Sequence, residues 1–178
     1  FEEWGIDGLL RRLNGMFAFC LYDVRKGEFH IARDRCGQKP LYYHQGGGKF
    51  AFASEVKSLL ECPHISAEPN LEAIDSFLTL RNVPEPRTMF AGIHKLPVAH
   101  RLRYRMADGD LEIKRYWEVP LLDARTASYK SEEEYFEAFE ALFDDAVRLC
   151  MRSDVPVGAY LSAGVDSSLT VAAMRKFS

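Results

Sequence analysis

No apolar run in this 178-residue chain exceeds the seven residues of MFAFCLY, Met16 to Tyr22. A membrane-spanning helix needs about 20 such residues, so no span is expected. Cysteine is scarce and irregularly placed: Cys20, Cys36, Cys62 and Cys150 contain no Cys-x-x-Cys pair. That argues against a zinc site or disulfide scaffold and for reduced thiols in a cytoplasmic setting. The five histidines are equally dispersed and read as ordinary residues rather than metal ligands. Basic residues form no patch or stripe, and the net charge is -3, which argues against a nucleic-acid surface. Internal repeats and low-complexity tracts are absent. The chain opens Phe1-Glu2-Glu3, with neither a Met nor a positively charged leader, so no signal peptide is visible.

What is present suits a soluble protein with a real core: 47% hydrophobic and 28% charged residues. The first third reads as β. GMFAFCLYDV and EFHIARD flank RKG, and KPLYYH and KFAFAS flank QGGG. These are hairpin signals and predict one antiparallel layer of four strands. EVKSLLE predicts a short closing helix, with Ser54 and Glu55 as its cap and first-turn acid. PHISAEPN is a connector and LEAIDSFLTL a helix, whereas VPEPRTMFAGIHKLP holds too much Pro and Gly to be regular. HRLRYRM and LEIKRYWEV around ADGD predict a second hairpin, and LLDARTASYK a linker.

From Ser131 the pattern turns helical. Ser131 with Glu134 fits a capping box, and Phe136, Phe139, Leu142, Phe143, Ala146, Val147 and Cys150 recur at helical spacing, which predicts a core-facing stripe. VPVGAYL then reads as a buried strand and SSLTVAAMRKF as a helix. Between them lies SAGVDSS. Backbone N–H groups at a helix start are unsatisfied and carry partial positive charge. Small residues there let a phosphate approach, and the Ser162, Ser167 and Ser168 hydroxyls add donors. Asp166 would repel bare phosphate, so its carboxylate makes sense beside a nucleotide carrying Mg²⁺. The loop matches neither G-x-x-x-x-G-K-[ST] nor G-x-G-x-x-G, and on spacing alone a capped helix start explains it equally well.

The stretch VPVGAYLSAGVDSSL resembles the PP-loop of ATP pyrophosphatases, usually Ser-Gly-Gly-x-Asp-Ser, in the form used by glutamine-hydrolysing asparagine synthetases. LNGMFAFCLYD, ARDRCGQKPLYY and FASEVKSLL resemble successive blocks of that family's glutaminase half. VPEPRTMFAGIHKLP and RYW resemble the segment joining the halves, so the likeness runs from about Leu9 to the end. It implies a mixed α/β and α+β fold. Residues 1–123 would be the C-terminal part of an antiparallel Ntn-hydrolase-type glutaminase domain with its connecting segment. Residues 131–178 would begin a parallel α/β synthetase domain.

The resemblance also implies an activity. An N-terminal Cys releases ammonia from glutamine, and ATP with Mg²⁺ adenylates aspartate, from which ammonia displaces AMP. The implied ATP- or pyrophosphate-binding residues are Leu161, Ser162, Ala163, Gly164, Asp166, Ser167 and Ser168, with Asp166 also toward Mg²⁺. The implied partners are glutamine, aspartate and ATP, without nucleic acid or membrane; a homodimer is compatible with the family. Alternatives are a relative that acts on another carboxylate, of the exopolysaccharide, β-lactam or peptide-cyclase type, and a non-catalytic homologue.

The glutaminase nucleophile is not among these residues, and neither Cys20 (in a predicted strand) nor Cys36 (in a loop) is assigned its role. Arg33, Asp34, Gly37, Pro40, Leu41 and Tyr42 match a family block and read as a structural turn at the interface of the halves. Met16 falls where the family's ammonia tunnel is thought to run, though an apolar strand residue is by default core. The chain is expected to be an internal piece that is inactive alone; turnover of glutamine or formation of asparagine by it would overturn this. Two departures from the family stand out: Ala163 replaces the first Gly of the usual loop pair, and LPVAH replaces Leu-Pro-Pro-Gly-His.

Overall fold

The computed structural model describes residues 1–121 and 131–177. It divides into two compact units, Phe1–Val119 and Pro120–Ser178. Most of the linker expected at 121–130 lies outside the described residues.

The first unit starts with α1 (Gly5–Arg12), which the sequence reading did not anticipate. Next come β1 (Ala18–Asp23) and β2 (Glu28–Arg33), paired antiparallel with Asp23 opposite Glu28. Their turn is held by the Asp23 carboxylate, which accepts from the N–H groups of Arg25 and Lys26 at 3.0 and 3.2 Å. β3 (Tyr42–Gly46) and β4 (Lys49–Ala53) are joined through Gly47 and Gly48 at φ 57° and 72°. Positive φ at both central residues is the turn that suits strand twist, and glycine adopts it without strain. α2 (Val56–Leu60) and α3 (Leu71–Leu80) follow, then β5 (Ile93–Lys95), β6 (His100–Arg105) and β7 (Leu111–Arg115). α3 occupies the predicted span, with the Asn70 side chain accepting from the Ala73 N–H at 3.2 Å.

The single layer expected from the first four strands is not formed. Instead the strands split two and two, into a sheet of order β1-β2-β6-β7 and a sheet of order β4-β3-β5. The cause is local: the chain between β2 and β3 is folded tightly around Asp34, as described below, so β3 is directed away from β2. Three more corrections apply in this unit. The Pro- and Gly-rich stretch expected to be irregular contains β5, because Tyr42–His44 offers it a strand to pair with. Glu55 is the N-cap of α2 but makes no side-chain capping bond; its carboxylate pairs with Lys57 at 2.6 Å. Met16 lies before β1 rather than within a strand, and it is half exposed.

The core lies between the sheets. Ile31, Leu102 and Tyr104 of the first sheet meet Leu41, Leu96, Tyr43 and Phe50. Phe50 stacks on Tyr104 with ring centroids 4.2 Å apart. Pleating sends Tyr42, Ala51 and Ala53 to the other face of the second sheet, where they pack with Leu59, Ile65 and Ile93. The outer face of the first sheet is polar. Arg101 reaches Asp7 of α1 at 2.7 Å and Glu112 at 3.2 Å, while Arg103 reaches Glu28 and Asp110, and Arg105 reaches Asp108 and Asp110.

The second unit contains α4 (Glu132–Cys150) and α5 (Val165–Met174). α4 starts with the predicted capping box: Ser131 Oγ accepts from the Glu134 N–H at 3.2 Å, and Glu134 accepts from the Ser131 N–H at 2.8 Å. α5 begins at Val165, two residues before the predicted start. Two expectations fail here. The α4 stripe is not core-facing, since Phe136, Phe139 and Leu142 are 64–73% exposed and only Val147 is buried. A two-helix unit has too little second surface to cover a broad stripe. Val155–Leu161 is exposed and is not a strand. A strand needs a neighbour to take its backbone hydrogen bonds, and this unit has no other strand among its described residues. Among the described residues no helix is long and apolar enough to cross a membrane.

Candidate functional site

The loop singled out in the sequence lies in the second unit, at the start of α5. Gly164 is the N-cap residue and provides no side-chain cap. The first-turn N–H groups, which lack helical acceptors, therefore stay unclaimed by a capping side chain. Three hydroxyls converge on this point. Ser167 and Ser168 Oγ donate to the Gly164 carbonyl at 3.0 and 2.9 Å, and Ser162 Oγ lies 3.0 Å from Ser167 Oγ. Leu161, Ser162, Ala163, Gly164, Asp166 and Ser168 are exposed and Ser167 is half-buried. Asp166 sits in the first turn of the helix.

Ala163 has φ 62°, in the left-handed region. Left-handed backbone costs a residue with a Cβ roughly 1–2 kcal/mol, and glycine avoids that cost. The second departure from the family pattern behaves the same way: Ala99, in LPVAH, has φ 58°. Both alanines thus occupy backbone geometry that explains why glycine is usual there.

The second group of candidates, the turn after β2, is built around a buried acid. Asp34 is 1% exposed. Its Oδ1 accepts from the N–H groups of Cys36 and Gln38 at 3.1 and 2.9 Å, and its Oδ2 from Lys39 and Phe17 at 2.9 and 3.3 Å. Burial alone would raise the carboxyl's pKa, but these four backbone donors outweigh it and hold the pKa below the ordinary value. Neighbouring Arg33 uses its guanidinium fork in four directions. Nε donates to the Lys39 carbonyl at 2.8 Å, Nη2 to the Gly37 carbonyl at 2.8 Å, and Nη1 to the Leu96 carbonyl at 2.8 Å and Glu85 Oε1 at 2.6 Å. Glu85 Oε2 in turn accepts from the Val98 N–H at 3.1 Å. The Tyr116 hydroxyl donates to the Arg33 carbonyl at 2.8 Å. Burial, and next the Asp34 carboxylate, push its pKa up to about 12.

This group is architectural. Gly37 has φ 66°, and a Cβ on it would collide with Val98 Cγ1 and the Arg33 guanidinium. Leu41 is buried in the core between the sheets, and Tyr42 opens β3. Sequence reasoning found Arg33, Asp34, Gly37 and Pro40 but missed Glu85, Val98 and Tyr116. The available signal was an acid set between two prolines in VPEPR, a poor place for a charge unless something holds it. Cys20 packs against the core and burial raises its thiol pKa, whereas Cys36 is exposed. All four cysteines are free thiols.

Two stacked antiparallel sheets in one unit, followed by a helix-start loop rich in serine, define a chain with two distinct parts. The glutamine amidotransferase domain family matches residues 1–117, and the asparagine synthase family matches residues 138–178. The chain belongs to the glutamine amidotransferase domain family, and its last residues are similar to the asparagine synthase family. A Methanocaldococcus jannaschii relative is 36% identical over 182 residues, covering 99% of this chain and 34% of its own length. Asparagine synthetase [glutamine-hydrolyzing] 3 of Bacillus subtilis is 37% identical over 173 residues, covering 97% of this chain and 27% of its own. Amidase chyE of Penicillium rubens is 35% identical over 171 residues, covering 94% and 24%. The chain thus spans between about a quarter and a third of the length of these curated relatives.

Proposed function

We propose that the enzyme to which this chain belongs forms asparagine from aspartate, using glutamine as the nitrogen source and ATP to activate the acceptor. The supporting observation is the order of the two matched segments in one chain, a glutamine amidotransferase domain and then an asparagine synthase segment. The first unit belongs to the ammonia-releasing half and the second opens the activating half. Residues 1–123 and 131–178 are the proposed extents of those two parts, the second being the start of a PP-loop α/β domain.

In this reading a side-chain carboxylate oxygen of aspartate attacks the α-phosphorus of ATP and pyrophosphate leaves. Ammonia then attacks the acyl carbon of the β-aspartyl adenylate, losing a proton as AMP departs. Leu161, Ser162, Ala163, Gly164, Asp166, Ser167 and Ser168 form the pyrophosphate cradle. The loop suits an anion: the α5 start has no capping side chain, and three serine hydroxyls surround it. The first-turn N–H groups, and hydroxyls turned from the Gly164 carbonyl toward the departing phosphates, would stabilise the charge that develops there. Asp166 is a single carboxylate, and among the described residues no three His, Cys, Asp or Glu converge on a cation. Asp166 would help hold Mg²⁺, which would supply charge neutralisation. In the full-length protein, aspartate-dependent ATP–pyrophosphate exchange tests this assignment. Ser162→Ala and Ser167→Ala should each lower it about tenfold or more, as expected for losing one oxyanion donor; exchange equal to wild type in both would refute the cradle.

A second reading changes only the acceptor. The similarity to a protein named an amidase favours it, and pyrophosphate release that ignores aspartate would select it.

A further inference from the structure

His30 lies in the middle of β2, on the outer face of the first sheet, and is only 6% exposed. Among the described residues neither ring nitrogen has a hydrogen-bond partner. A neutral imidazole always carries one N–H donor, and a buried donor left unpaired costs stability. The Phe1–Arg12 segment covers this ring: Phe1 packs on it with ring centroids 5.2 Å apart. The same segment is tied down at two more places, by Asp7 on Arg101 at 2.7 Å and by Arg35 Nη2 donating to the Arg11 carbonyl at 3.4 Å. Leu10 of α1 is fully buried.

We propose that His30 is an acid-sensitive latch which, when neutral, keeps the Phe1–Arg12 segment seated on the first sheet and, when protonated, releases it. The charged groups around the ring come from every element packed there. Glu28 lies on its own strand, with Oε2 3.5 Å from His30 Nε2, and Asp23 and Lys26 lie at the β1–β2 turn. Arg101 and Arg103 face it from β6, Asp7 from α1, and Glu112 from β7; Asp7 and Glu112 are engaged by Arg101. Glu28 is already held by Arg103 at 3.2 Å. An imidazolium formed under Phe1 would thus meet two guanidinium groups and a carboxylate shared with one of them. It gains more by reaching water, and water is reached by lifting Phe1.

Burial, the largest influence, holds the His30 pKa below its ordinary value, despite the opposing pull of Glu28. The released imidazole therefore binds its proton first as pH falls. Seating is fully favoured above the released value of about 6.5 and weakens as pH drops below it toward the seated value.

The test is amide hydrogen exchange of the intact protein between pH 7.5 and 5, corrected for intrinsic rates, together with the titration of the His30 ring by NMR. Exchange at Leu9–Arg12 should accelerate below about pH 6.5, by up to about tenfold for each pKa unit between released and seated rings. His30→Phe should abolish that acceleration. The latch is refuted if Leu9–Arg12 protection ignores pH in the wild type, or if His30→Phe keeps the same pH dependence. Should the variant not fold, the wild-type ring decides alone. Its titration must coincide with loss of α1 protection, and titration with α1 still protected refutes the proposal.

Discussion

Glu85 receives the Arg33 guanidinium at 2.6 Å across 52 residues of sequence, and passes the link on by accepting the Val98 N–H. One carboxylate thus ties the turn after β2 to the segment before β6. Removing either partner leaves the other half-buried without its counter-charge. Arg33→Met and Glu85→Gln should each lower the urea midpoint of the first unit, by the equivalent of about 2 kcal/mol. Arg33→Lys should not rescue, because a single ammonium cannot reach three carbonyls and a carboxylate at once. Equal midpoints for Lys and Arg would contradict this account.

Asp34 should make the fold acid-sensitive. Its folded pKa is depressed, so its contribution is fully present above the unfolded value of about 3.9 and is lost as pH falls through the lower folded value. Asp34→Asn replaces one acceptor oxygen with an NH₂ facing backbone donors. It should destabilise by about 2–3 kcal/mol at neutral pH and flatten the fall in stability below pH 4. Urea midpoints measured from pH 7 to 2.5 in both proteins check the slope.

Gly37→Ala places a methyl against Val98 Cγ1 at positive φ. A loss of about 2–3 kcal/mol is expected, combining overpacking with left-handed strain. Adding Val98→Ala removes the closest overlap but neither the contact with the Arg33 guanidinium nor the strain, so the double variant should recover only part of the loss. Full recovery would show that backbone strain at Gly37 is negligible.

Ala99→Gly and Ala163→Gly relieve the two left-handed alanines at φ 58° and 62°. Relief of roughly 1–2 kcal/mol is set against roughly 0.5–1 kcal/mol from the greater freedom of glycine in the unfolded chain. The net at Ala99 should be a thermal midpoint raised by a few degrees at most. At Ala163 the readout is functional: ATP–pyrophosphate exchange in the full-length protein should rise or hold. A marked fall would show that the methyl serves the loop.

The sequence showed most of the first unit because its strands carry their own turn chemistry. Asp23 with Gly27, and the Gly47–Gly48 pair, place both hairpins by local rules. What it did not show is which strands share a sheet. That depends on where the Asp34 turn aims β3, and Asp34 acts through donors up to 17 residues away. β5 was hidden for a similar reason: three residues become a strand only because β3 lies beside them. Val155–Leu161 is the converse, a strand pattern without a ladder. The serine loop could be read directly, since its small residues, hydroxyls and helix start are contiguous. Glu85 and Tyr116 could not, since their roles exist only after the sheets assemble.

The arginines of β6 carry one last consequence. Arg101 touches Asp7 and Glu112; Arg103 touches Glu28, Asp110 and Glu112; Arg105 touches Asp108 and Asp110. Delete any one of these five carboxylates and every arginine still holds at least one. The pairing is redundant, so this face is buffered against single substitutions in the acids, while the arginines themselves have no substitutes.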